Sequence, residues 1–125
     1  MSRPIRRIAL LAGVAVVAPL LTLPAVSGAA TSCKLSLSAA RSMGPTYVTV
    51  LKVTRTSCAN GKKVTKAFHS CRLKKGAKGR CTTKVLGYTC TDRRPAGESI
   101  PTQFTGYVTC KRGSAKITHS YQQDT

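Results

Sequence analysis

The chain has 125 residues, with 21 lysines and arginines against three acids, a formal net charge of +18. That length holds one domain rather than two, and so one-sided a charge favours anionic partners over cationic ones. With two histidines, three acids and no GxSxG or HExxH pattern, the usual hydrolase signatures are absent.

Residues 1–30 read as an export leader. Arg3, Arg6 and Arg7 form a positive start, RIALLAGVAVVAPLLTLPAV supplies the apolar stretch, and Ser27, Gly28, Ala29 and Ala30 offer small residues for cleavage after Ala30 or one residue earlier. A permanent membrane span is disfavoured because Pro19 interrupts the apolar run. Cys33 lacks the upstream Leu that acylation would use, and Arg6-Arg7 leave both general and twin-arginine export open. Cleavage would take away three arginines and no acid, leaving 18 cationic and three acidic side chains, or +15, on residues 31–125. The expected product is a secreted monomer with no membrane anchor.

All six cysteines lie in that part. An even number in a short exported chain reads as three disulfides, and no CxxC or CxxH spacing suggests a metal site. The large core groups are two phenylalanines and four tyrosines, a thin apolar supply that cross-links would reinforce.

Along residues 31–125, the first fifteen read as loop or short edge segment, broken at Gly44-Pro45. YVTVLKVTR, Tyr47 to Arg55, is β-branched and predicts a strand. A helix follows with Ser57 as N-cap, its apolar stripe formed by Val64, Ala67, Phe68 and Cys71, and Gly76 as its stop. On that wheel Lys62, Lys63, Lys66 and His69 face water, and RLKKGAKGR becomes a flexible basic loop. Thr83 to Thr91 predicts a second strand, DRRPAGESIP a loop, Phe104 to Cys110 a third strand and Ala115 to Tyr121 a fourth. A two-residue turn at Arg112-Gly113 would set Cys110 opposite Ala115, Val108 opposite Ile117, Gly106 opposite His119 and Phe104 opposite Tyr121, collecting the apolar groups on one face. The fold class is therefore α+β: a small antiparallel sheet in the order β-α-β-β-β with one helix packed on one face. This sketch favours disulfides Cys71–Cys81, Cys58–Cys110 and Cys33–Cys90 among the fifteen possible connectivities.

TSCANGKKVTKAF, VLGYTC and GYVTCKRGSAKITHSY together resemble a layout found in small secreted cysteine-containing proteins of actinobacteria. The likeness covers roughly residues 46–121. It implies the fold and the compartment, and no particular site, since members of that group mostly have no assigned function.

For chemistry, the strongest feature is the charge cluster Lys62, Lys63, Lys66, Arg72, Lys74, Lys75, Lys78 and Arg80. It reads as a surface for polyanions such as cell-wall polymers, without sequence-specific nucleic-acid recognition, because no stacking aromatics interleave the cations. The leading expectation is a secreted, cationic, non-enzymatic binding or structural module needing no cofactor. The alternatives are a hydrolase such as a ribonuclease built on His69 and His119, a protease inhibitor presenting Arg93-Arg94, and an antimicrobial protein. Two features weigh against these: His69 and His119 are expected on different surfaces, and Pro95 follows Arg94 directly.

Overall fold

A computed structural model describes residues 28–125, with 13, 18 and 19. The expected leader thus lies almost wholly outside the described residues. Six strands and two helices are ordered β1 (Thr31–Ser32), α1 (Leu37–Arg41), β2 (Tyr47–Thr54), α2 (Cys58–Leu73), β3 (Thr89–Arg93), β4 (Ser99–Ile100), β5 (Gln103–Arg112) and β6 (Ala115–Asp124). All strand pairs are antiparallel, in the order β1-β2-β6-β5-β3, with β4 on the edge of β5 beside β3. The α+β reading holds. Among the described residues no helix is long and apolar enough to cross a membrane.

The strand expected from Tyr47 forms as β2. Its sequence does not alternate strictly, and a bulge between Val48 and Val50 restores the pattern, so that Val48, Leu51 and Val53 all point inward. The final hairpin also forms, but its register differs from expectation. Gly113, at φ +55°, takes the first position of the turn, so Arg112 pairs with Ala115, Cys110 with Ile117, Val108 with His119 and Gly106 with Tyr121. The offset is two residues. An even slip keeps every side chain on its expected face, which is why the apolar alternation could not detect it.

Helix α2 begins as expected, with Ser57 Oγ accepting the Asn60 N–H at 3.1 Å. Its buried face is rotated from the predicted stripe: Gly61, Val64, Thr65, Phe68, His69 and Arg72 point inward, while Ala67 and Cys71 lie at the margin. The second strand is shorter than predicted. Val85 and Tyr88 exchange both backbone hydrogen bonds across Leu86 (φ 48°) and Gly87 (φ 80°), a tight turn that occupies the first half of the expected strand. Only Thr89–Arg93 joins the sheet, as β3. The opening segment supplies an edge strand and the short helix α1, capped by Ser36.

Between α2 and the sheet lies the core: Met43, Val48, Leu51, Val53, Val64, Phe68, Tyr88, Phe104, Val108, Ile117 and Tyr121 are all buried. Gly106 is required there, since a Cβ would stand 2.3 Å from the Tyr121 ring that lies across it. The disulfides are Cys33–Cys58, Cys71–Cys81 and Cys90–Cys110. Only Cys71–Cys81 matches expectation. Cys90 and Cys110 are direct partners on β3 and β5, whereas a Cys33–Cys90 bond would span from one sheet edge to the other. That distance is on the order of 19 Å at four strand spacings, far beyond a disulfide's reach.

Candidate functional site

The expected charge cluster is divided by the fold. Lys63 and Lys66 are exposed and Lys62 half-buried on the first half of α2. Lys74 lies eleven residues beyond Lys63, about 16 Å further along the axis. That is beyond the screening length of physiological salt, roughly 8 Å, so the two groups act separately. Lys78 turns to another side, over a hollow with Ile100, Pro101, Phe104 and Thr125. Lys74, Lys75 and Arg80 converge. With Thr82, Thr83 and the sulfur of Cys71 they line a cleft of ≈ 260 Å³ at the C-terminal end of α2. On the uncovered sheet face a broader concavity of ≈ 360 Å³ is lined mainly by Val50, Tyr107, Thr109, Thr118 and Ser120, with Lys52 as its cation.

Arg72, expected on the surface, is 0% exposed. Its Nη1 donates to Ala77 O at 2.8 Å, its Nη2 to Gln123 Oε1 at 2.6 Å and its Nε to His69 Nδ1 at 2.7 Å. The guanidinium also lies over the Tyr121 ring, 4.6 Å from its centroid. Neutral acceptors and a ring face thus replace the water that burial removes. No carboxylate touches Arg72: Asp92 accepts from Tyr121 Oη instead, and pairs with Arg94 at 2.7 Å.

His69 is a second correction, being 0% exposed and not solvent-facing. His69 Nε2 and His119 Nε2 are 2.9 Å apart. Burial, then the charges nearby, pushes His69 down to about 2 and His119 to about 3, so both rings are neutral. The proton positions follow. An arginine can only donate, so His69 Nδ1 is an acceptor and its proton is on Nε2. His69 therefore donates to His119 Nε2, and His119 carries its proton on Nδ1, toward Thr65 Oγ1 at 3.5 Å. The result is a directed chain, Arg72 to His69 to His119 to Thr65, sealed between α2 and β6. The separation expected of the two histidines is thereby overturned, and both are buried, His69 0% and His119 3% exposed.

The same buried groups fix the basic loop. Besides Arg72 on Ala77 O, Arg94 donates to Lys78 O at 2.8 Å and Gly79 O at 2.7 Å, and Arg80 donates to Asp92 O at 2.7 Å. With Cys71–Cys81 closing its base, the loop expected to be flexible is tied at successive carbonyls. Arg94 is thereby committed inward, stacked over Phe104 at 4.4 Å, and Arg93 lies over Tyr107 at 4.7 Å. Of the pair expected for an inhibitor loop, Arg94 is thus turned inward, while Arg93 stays exposed at the surface.

The sequence carried one signal for the inward turn of His69 and Arg72: with Thr65 they share the i, i+4, i+7 spacing of Val64 and Phe68, displaced by one residue. Among the described residues no group of three or more His, Cys, Asp or Glu is placed to hold a metal. Comparison with family models, with curated proteins and with solved structures finds no match to this chain.

Proposed function

We propose that this protein is a secreted cationic binding module for polyanions, acting without catalysis. The observation that carries this reading is where the acids are spent. Asp92 is held by Arg94 and Tyr121, Glu98 accepts from Tyr107 at 2.5 Å, and Asp124 accepts from Gln103 at 2.9 Å. Asp92–Arg94 is the one ion pair among the described residues, so no surface lysine there is held in an ion pair. Such a field raises the local concentration of anions and speeds their encounter. The three disulfides fit an oxidising compartment. The resemblance to small secreted actinobacterial proteins implies the same compartment, where cell-wall polymers are the anionic partners at hand.

The test is cosedimentation with isolated cell walls across a salt series. With about four to six phosphate contacts on a single-stranded polymer, the log–log slope is expected to be roughly −3 to −4. Absence of binding at physiological salt would leave the charge as a solvated surface alone.

A further inference from the structure

The cleft between α2 and the loop after it has the features of one defined anion site within that general field. We infer that Lys74, Lys75 and Arg80, with the hydroxyls of Thr82 and Thr83, bind a phosphate ester of a polyol carried on a linear polymer. The inference rests on the polyanion reading above and assigns its anchoring point.

Four observations lead to it. First, three cations line one cleft of ≈ 260 Å³ and no acid lines it. Second, the cleft is built before any ligand arrives. Cys71–Cys81 closes its base, and Arg72 and Arg94 hold Ala77 O, Lys78 O and Gly79 O. Arg80 has one nitrogen fixed on Asp92 O, which leaves the rest of its guanidinium for a ligand. Order already present in the free protein does not have to be created on binding. Third, Arg72 adds a buried positive charge beneath the loop without touching the ligand. Fourth, the lining contains two threonines and a disulfide sulfur and no aromatic ring. A base would find nothing to stack on, whereas the hydroxyl groups of a polyol can exchange hydrogen bonds with Thr82 and Thr83.

The experiment is an amide-shift titration of the purified protein with inorganic phosphate and with glycerol 3-phosphate, followed by polymer binding. Both small anions should move Thr82, Thr83 and Arg80 saturably, more than the residues around Lys63. K74Q/K75Q/R80Q should abolish those shifts and weaken poly(glycerol phosphate) about tenfold or more. K62Q/K63Q/K66Q removes the same charge and should keep the shifts. A single-stranded oligonucleotide of matched charge and vesicles of phosphatidylglycerol in phosphatidylcholine complete the comparison. Preference for either over the soluble polymer overturns the polyol-phosphate assignment, as does an equal loss in both triple variants. Salt-sensitive polymer binding unaffected by K74Q/K75Q/R80Q overturns the site and leaves the polyanion function standing. No polyanion binding by the wild type overturns both.

Discussion

Acidification should weaken this fold through its two histidines, well before carboxylates contribute. In the folded state His69 and His119 are neutral at pH 5, held down to about 2 and about 3. In the unfolded chain each returns to about 6.5 and takes up a proton below that pH. The sign is therefore fixed: above about pH 7.5 the pair contributes almost no pH dependence, and from there down to about 3 stability falls as pH falls. Protonating one unfolded histidine at pH 5 favours unfolding by about 2 kcal/mol, so the two together cost about 4 kcal/mol relative to pH 7.5. Nearer pH 4.5 the loss steepens toward roughly 2.7 kcal/mol per pH unit. Against a typical total of about 5–15 kcal/mol, that is a large share. The chain has no other histidine, and ordinary carboxylates reach half-titration only near pH 4, so this pair dominates from pH 6.5 to 5. Urea unfolding followed by circular dichroism at half-unit steps measures it. H69Q/H119Q should start less stable at pH 7 and be nearly flat across the window. A flat wild-type profile from 6.5 to 5, or an equal slope in the double variant, would refute the reasoning.

Gly106→Ala should destabilise by about 2 kcal/mol or more, because its Cβ must displace the Tyr121 ring 2.3 Å away; chemical denaturation with unchanged m-value reads it. Arg72→Met leaves His69 Nδ1, Ala77 O and Gln123 Oε1 without their donor, and at about 1–3 kcal/mol for a buried unsatisfied acceptor should destabilise by at least that much in the same assay. Replacing both cysteines of the Cys71–Cys81 bond with serine opens a loop of sequence separation 10. About 2.5–3 kcal/mol is expected, somewhat less than for Cys33–Cys58 with its separation of 25. Unfolding should stay cooperative, and a costlier loss than that of Cys33–Cys58 would contradict the loop-entropy argument.

The elements legible in the sequence were those in which local and global signals agree. Val48, Leu51 and Val53 made a strand under any register, Ser57 capped a helix whatever its rotation, and Val108, Cys110 and Ile117 kept their face through a two-residue offset. What misled was polarity. His69 and Arg72 look like surface residues because each is costly to bury alone. They are buried because each satisfies the other, which a pattern of single residues does not encode. The cysteine pairing failed for a topological reason: β1 and β3 occupy opposite edges, and local periodicity does not say which edge a strand takes. Of the eight cluster residues, Lys74, Lys75 and Arg80 share the cleft, and Thr82 and Thr83 were missed, since nothing in their local pattern sets them beside lysines seven to nine residues earlier.

The sheet order also bears on when folding can finish. β6, a ten-residue strand, lies in the interior between β2 and β5, so each of those strands lacks one of its two neighbours until β6 itself has been made. A chain emerging N-terminus first carries its cationic helix and five of its cysteines well before it can close the sheet. Completion is therefore late, set by pairings such as Tyr47 with Gln122 across most of the domain. A chain that cannot close its sheet early stays open for nearly its full length, and of its three disulfides Cys90–Cys110, between β3 and β5, is the one whose partners come together last.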